Sequence, residues 1–332
     1  MSAPQPLPAP GPRLPPEGFA LGHGGDPGRG TGVTVVLCPQ GAVAAADVRG
    51  SATGTRQFDS LVSPLHLATS AHGLVFAGGS GFGLAAADPV VAHLERAGAG
   101  FRTGLRPVPL VPTAILFDLG FGAADAVPSG ALVEAAIAAA GRGGEVPVGS
   151  VGAGTGATVG KALGLERAMK GGFGFVRFDL PGGAAVAAAV AVNAWGDVCD
   201  PDSGELLAGC RTEPDGRILA DARRVVAATP PGAAHPWESN TTLAAVLTDA
   251  RLDKAGALKV SQMAFGGLYR AIRPALGLYD GDLVVTLASG LRPAHLHAVG
   301  VLAERAVAEA IALAVRAADG FERLPAHRDL AP

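Results

Sequence analysis

Asn240-Thr241-Thr242-Leu243 stands where a polar stretch rich in Gly and Pro meets an apolar run. Two ordinary readings apply: Thr-Thr starts a strand well, and Asn-x-Thr is formally a glycosylation sequon. A third reading is chemical. A threonine hydroxyl is a poor nucleophile until a base takes its proton, and a free α-amine has a pKa of about 7.7–8.0, close to working pH. Breaking the Asn240–Thr241 bond would convert an amide into that amine beside its own hydroxyl, and so create the catalyst. Taken alone, the tetrad favours the strand reading.

Other polar residues could complete such a site. Asp280-Gly281-Asp282 precedes an apolar run. Two acids one residue apart point the same way along an extended chain, although an acidic turn is the plain alternative. Asn193 ends the apolar run Ala-Val-Ala-Val, where an amide must find partners and could stabilise an oxyanion. Lys161 closes a Gly/Thr loop, and only four of the 26 basic residues are lysines, at 161, 170, 254 and 259. On the surface Lys161 would need no explanation. Buried, it would stabilise developing negative charge.

Several familiar motifs fail. A phosphate loop ending in Gly160-Lys161 would need Gly where Thr155 stands and Ser or Thr where Ala162 stands. In Gly79-Ser80-Gly81-Phe82-Gly83 a dinucleotide fingerprint would need Gly at Leu84, and a serine elbow would need Gly at Phe82. His295 and His297 lie about 200° apart around a helix and cannot share a metal. His66, His72 and His93 each stand alone among apolar neighbours. The sequence therefore calls for no metal and no organic cofactor.

The composition bounds the rest. With 49 Gly and 26 Pro in 332 residues but no Gly-X-Y period, collagen is excluded, and 48% hydrophobic residues exclude wholesale disorder. A formal charge of −3 makes no electrostatic case for a nucleic-acid partner. Mean hydropathy is +0.33, yet every window of about 18–20 residues is broken by charge, Gly or Pro. The best of them, 295–318, holds Glu304, Arg305, Glu309 and Arg316, so a buried helix is expected and no membrane partner. Residues 1–20 read as a Pro-rich disordered tail without the pattern of a secretory signal. Cys38, Cys199 and Cys210 are an odd set without C-x-x-C spacing, which suggests reduced thiols in a cytoplasmic protein.

The elements that must position the candidate residues are strands over 33–37 and 43–48, joined as a hairpin by 38–42, and further strands over 110–117, 173–179, 184–193, 242–248 and 283–288. Helices are expected to about residue 96 from the Gly-rich opening at 78–83, and over 129–140, 253–272 and 295–318. The stretch 201–236 reads as an exposed linker. Strands and helices alternate only in part, which favours an α/β sandwich over a doubly wound sheet.

From about residue 32 to 290 the chain resembles the L-aminopeptidase/D-amidase-esterase family of self-processing peptidases, which also holds β-peptidyl aminopeptidases and a nylon-oligomer hydrolase. The resemblance rests on separated blocks in the family's order: Gly32-Val-Thr-Val-Val36, Asp47-Val-Arg-Gly50, Gly54-Thr-Arg56, Gly78-Gly-Ser-Gly-Phe-Gly-Leu84 and Val151-Gly-Ala-Gly-Thr-Gly-Ala-Thr-Val-Gly-Lys161. Met169-Lys-Gly-Gly172, Val192-Asn-Ala-Trp-Gly-Asp-Val198, Asn240-Thr-Thr-Leu243, Thr248-Asp249 and Asp280-Gly-Asp282 continue it. It implies a four-layer αββα sandwich of the type shared with ornithine acetyltransferase. It implies Thr241 as N-terminal nucleophile, Asn193 as oxyanion-side amide, Lys161 near the nucleophile, and Asp280 and Asp282 near its amine. It also implies one catalytic domain over 21–332, self-cleaved into chains 1–240 and 241–332 that stay associated and form homo-oligomers.

Departures from the family bear on the substrate, expected to be a small peptide or amide. Phe117 stands where members often have Tyr, and Ile115 where the aminopeptidases carry a Glu that holds the substrate's free amine. Either Asp118 neutralises that amine, or the substrate is an N-blocked or oligomeric amide. Acyl transfer to an amine, and an uncut non-catalytic relative, are the remaining alternatives.

Overall fold

The computed structural model describes residues 7–232, 240–322 and 324–330. Nine strands carry the architecture: β1 (Ala20–Asp26), β2 (Thr31–Val48), β3 (Gly54–Arg56), β4 (Ser70–Ala77), β5 (Thr113–Ile115), β6 (Gly172–Asp179), β7 (Ala185–Asn193), β8 (Thr241–Ala250) and β9 (Leu283–Arg292). The longer helices are α1 (Ala87–Arg96), α2 (Gly130–Arg142), α3 (Lys254–Ala271) and α4 (Leu296–Ala317). Local chemistry sets their ends. Ser129 caps α2 by accepting from the Leu132 N–H, and Asp253 caps α3 by accepting from Gly256 at 2.7 Å. Gly143, at φ +64°, follows the end of α2.

Strands β6, β7, β8, β9 and the second half of β2 pair side by side. The first half of β2 pairs with β1 and β4, and β5 and β3 complete that second sheet. Three apolar clusters separate the layers. Phe173, Phe175, Ala189, Leu243, Leu247 and Val285 meet Val36, Leu74, Phe76 and Leu116 between the two sheets. The other face of the first sheet, with Val176, Val190 and Val246, packs on α3 and α4. The outer face of the second, with Val33, Val35 and Val75, packs on α1 and α2. The order is therefore helix, sheet, sheet, helix, which is the αββα sandwich expected. Each fully buried Val, Leu or Phe adds about 1.5–3 kcal/mol.

Strand β8 has both faces covered, and every one of its residues is buried. That explains its central apolar run Leu243–Leu247 and its parallel pairing with β9 through the crossover helix α3. Glycine is used for close approach. A Cβ at Gly174 would run into the Ala310 carbonyl of α4, and one at Gly22 into the Ala136 carbonyl of α2. Among the described residues no helix is long and apolar enough to cross a membrane.

Three expectations are corrected. Residues 33–37 and 43–48 are one strand, not a hairpin: both halves run on in the same direction, each in its own sheet. The Pro39–Gln40 pair is exposed at a break in the register between Leu37 and Ala42, where Pro needs no ladder partner. In the stretch 1–20, residues 1–6 lie outside the described part, but the rest is laid against the body rather than loose. The Gly11 N–H donates to the Arg177 carbonyl at 2.8 Å, and Arg13 pairs with Glu145 at 2.9 Å. A Pro-rich segment has little conformational entropy to lose, so a few such contacts hold it. In 201–236, residues 233–236 lie outside the described part. The remainder is not simply exposed: Cys210, Arg211 and Ala222 are buried, because the Asp197 carboxylate accepts the Cys210 and Ala222 N–H groups at 2.7 and 2.6 Å.

Candidate active site

Strands β7 and β8 run antiparallel, and their last register pair is Asn193 opposite Thr241. Alternation along each strand sends the odd-numbered side chains into the space between the sheets, as for Ala189, Ala191, Leu243 and Ala245. Asn193 and Thr241 continue that parity, so both side chains face the same inter-sheet region at its rim. The start of β9 lies alongside. Asn240 bridges Asp280 in parallel, its N–H donates to the Tyr279 carbonyl at 3.0 Å, and Gly281 N–H donates to the Asn240 carbonyl at 2.7 Å. Asn193, Lys161, Asn240, Thr241, Asp280 and Asp282 are all at most 3% exposed.

The hydroxyl of Thr241 donates to the carbonyl oxygen of Asn240, 2.5 Å away, in the peptide bond that precedes it. Its neighbour Asn193 is held on every side. Asn193 Oδ1 accepts from Thr158 N–H at 2.9 Å, from Thr158 Oγ1 at 3.3 Å and from Lys161 Nζ at 3.1 Å, while its Nδ2 donates to the Phe117 carbonyl at 3.0 Å. Lys161 Nζ also donates to the carbonyls of Asn193 and Ala194 at 3.1 and 3.4 Å. An ammonium has three hydrogens, so the lysine both fixes the amide and places a positive charge beside it.

The acidic pair does structural work of its own. Asp280 accepts from the N–H groups of Trp195 and Gly277 at 3.1 and 2.8 Å, and Asp282 from those of Thr242 and Leu276 at 2.7 and 3.2 Å. Burial raises both carboxyls above the ordinary range. For Asp282 the nearby charge of Asp280 adds to the rise, and the hydrogen bonds from Thr242 and Leu276 oppose it.

The residues Lys161, Asn193, Thr241, Asp280 and Asp282, far apart in sequence, thus come together. The three substrate-side candidates separate. Phe117 and Asp118 line a cavity of about 60 Å³ with Phe121, Thr158 and Lys161. Ile115 does not face it: its side chain lies in the apolar cluster under α1 and α2. The Asp118 carboxylate already accepts from Thr31 Oγ1 at 2.8 Å and Gly79 N–H at 2.6 Å, and burial lifts it to about 6 against those bonds. Among the described residues no three His, Cys, Asp or Glu side chains gather to hold a metal.

Sequence reasoning missed Thr158, the Phe117 carbonyl, the Gly281 N–H and Lys170. Buried Lys170 donates to the Thr155 and Ala157 carbonyls at 2.9 and 2.8 Å and sits 4.4 Å from the centre of the Phe121 ring. Burial pushes it down to about 7, with the charge of Asp118 resisting. Its rarity as a lysine and its place in the block Met169-Lys-Gly-Gly172 were the available signals.

Comparison with known proteins places this geometry in context. Residues 18–327 match peptidase family S58. An uncharacterized aminopeptidase of Mycobacterium tuberculosis (strain H37Rv) is 37% identical over 323 residues, covering 91% of this chain and 90% of that protein. The 6-aminohexanoate-oligomer endohydrolase of Kocuria sp. (strain KY2) is 30% identical over 260 residues, covering 76% and 67%. Among solved structures, a Burkholderia sp. beta-aminopeptidase superposes with a TM-score of 0.69 at 22% identity, covering 98% of this chain and 94% of that one. The L-aminopeptidase D-Ala-esterase/amidase of Ochrobactrum anthropi, described as a variant of the Ntn hydrolase fold, gives 0.67 at 17%, covering 98% and 94%. These two likenesses establish the fold.

Proposed function

Because this chain belongs to peptidase family S58 and is with its relatives an enzyme of peptide or amide hydrolysis, we propose that its nucleophile is Thr241, freed by self-cleavage of the Asn240–Thr241 bond. The observation that carries the reading is the Thr241 hydroxyl 2.5 Å from the Asn240 carbonyl oxygen, in a buried setting with Asn193 opposite. In processing, Thr241 Oγ1 attacks the Asn240 carbonyl carbon, the C–N bond breaks, and the nitrogen takes a proton. Water then hydrolyses the ester, leaving an Asn240 carboxylate and a free Thr241 amine.

In turnover that amine takes the proton of the Thr241 hydroxyl as it attacks the substrate carbonyl. The leaving amine departs protonated, and water releases the acid from the acyl-enzyme. Asp280 and Asp282 orient the amine. Asn193 offers its amide to the oxyanion, with Lys161 fixing that amide and adding positive charge. Chains 1–240 and 241–332 stay together because the β8–β9 pair lies between β7 and β2, so separating them means unpairing the centre of a sheet on both sides. Their assembly into homo-oligomers in a cytoplasmic setting belongs to the same proposal. A denaturing gel tests the core of it: the purified protein gives bands at about 72% and 28% of the full mass, from 240 and 92 of the 332 residues, and Thr241→Ala gives one. An uncut parent overturns the reading.

The substrate admits an exo-acting and an endo-acting version. With Ile115 turned into the outer core and Asp118 already engaged by two donors, the second reading is an endo-acting amidase on N-blocked or oligomeric amides. Rates on aminoacyl against N-acylated amides separate the two, and added amines reveal any acyl transfer.

A further inference from the structure

Self-cleavage and turnover act on different carbonyls. Turnover acts on a substrate that arrives later; processing acts on Asn240. The Asn240 carbonyl oxygen accepts from the attacking Thr241 hydroxyl at 2.5 Å and from the Gly281 N–H at 2.7 Å. The Asn193 Nδ2 is turned instead to the Phe117 carbonyl. We propose that the main-chain N–H of Gly281 is the oxyanion donor of the processing step. This rests on Thr241 being the nucleophile and adds to it the group that receives the negative charge.

The surroundings hold that N–H in place. On either side of Gly281 the carboxylates of Asp280 and Asp282 are pinned by four main-chain N–H groups, from Trp195, Gly277, Thr242 and Leu276. The carbonyls of the same two residues are held as well: Asp280 accepts from Ala52 at 3.0 Å, and Asp282 from Gly50 at 2.9 Å and Arg49 at 3.2 Å. A peptide plane fixed at both ends cannot swing its N–H away. The residue must also be glycine. A Cβ there would stand 2.7 Å from Thr241 Oγ1 and 2.8 Å from the Ala52 carbonyl, so any side chain would displace the nucleophile or the turn.

The chemistry follows from the distance. As Thr241 Oγ1 bonds to the Asn240 carbon, the carbonyl π pair moves onto the oxygen, which gains negative charge. A donor at 2.7–3.1 Å, already oriented, stabilises that charge without reorganisation, and losing one such donor costs about 10²–10³ in rate. When the C–N bond breaks, the pair returns to the carbonyl and the Thr241 nitrogen takes the proton.

The test replaces Gly281 in the full chain by glycolic acid through nonsense suppression, exchanging the N–H for an ester oxygen and adding no side chain. Conversion of precursor to fragments is followed by intact mass. The expected result is conversion slowed about 10²–10³-fold relative to the parent. Thr241→Ala chains with and without the ester, compared by thermal melting, show whether the fold persists. A folded ester chain that converts within threefold of the parent overturns the inference and leaves Thr241 untouched. A parent that never converts overturns the nucleophile and this inference together. Should the ester chain not fold, lactic acid in place of Ala52 decides, because it deletes the N–H that holds the Asp280 carbonyl, in the peptide plane of the Gly281 N–H, and adds no atom beside Thr241: conversion at least tenfold slower supports the proposal, and unchanged conversion overturns it.

Discussion

Replacing Lys161 by Met keeps the volume of the side chain and deletes its charge. The ammonium makes contacts at 3.1, 3.1 and 3.4 Å to Asn193 O, Asn193 Oδ1 and Ala194 O. Charge-assisted hydrogen bonds are worth about 1.5–3 kcal/mol each, so the two shorter ones total about 3–6 kcal/mol. Taking an ammonium out of water costs several kcal/mol, so the two terms nearly cancel and stability should move by about 2 kcal/mol or less. Function does not cancel in this way. Asn193 Oδ1 keeps Thr158 but loses its charged partner, and the oxyanion region loses a positive charge. A loss of about 2.7 kcal/mol of transition-state stabilisation is about 10²-fold in rate. The expected signature is therefore a melting midpoint within about 5 °C of the parent, with hydrolysis of an amide substrate down about 10²-fold. Hydrolysis within threefold of the parent would refute the role given to the lysine. A collapse of the midpoint would show that Lys161 serves the fold instead.

In an uncut Thr241→Ala background, Asp282→Asn should gain stability relative to its parent as pH rises from 5 to 8. Burial and the nearby charge of Asp280 hold the folded pKa of Asp282 well above its unfolded value of about 3.9, so the folded parent keeps the extra proton at low pH and loses stability as pH rises from the unfolded value through the folded one; a difference independent of pH in urea titrations would contradict this. Gly174→Ala should cost about 1–3 kcal/mol by overpacking against the Ala310 carbonyl, and an unchanged denaturation midpoint would show that α4 can move away. Asp118→Asn should raise KM about tenfold for substrates with a free amine if the enzyme is exo-acting, and leave N-acylated amides alone, since an N-blocked substrate offers no ammonium to pair; equal effects on both would remove Asp118 from recognition.

The candidate site was legible where polar residues interrupt apolar sequence. Asn193 closes an Ala-Val strand, Lys161 is one of few lysines, and Asp280 and Asp282 stand at the mouth of β9. Such residues must be satisfied if buried, and here they satisfy one another's neighbourhood. Main-chain groups leave no such trace. Neither the Gly281 N–H nor the Phe117 carbonyl has a sequence signature, and Thr158 is hidden in a Gly/Thr stretch. The helices emerged close to their expected bounds because period and capping coincide, as at Ser129 and Asp253. The hairpin misreading at 38–42 has a physical reason: Cys-Pro-Gln-Gly suits a tight turn and a bulge equally, and only the two sheets flanking β2 decide. Ile115 lies in the outer core while its neighbours Ala114 and Leu116 face the inter-sheet space, a difference of one residue of strand parity that the sequence does not mark.

Intact mass and N-terminal sequencing of the purified full-length protein address the central claim most directly. A second chain whose first residues read Thr-Thr-Leu, paired with one ending in Asn240, is the predicted result. A single uncut chain that nevertheless hydrolyses amides, or a cut at any other bond, would contradict it.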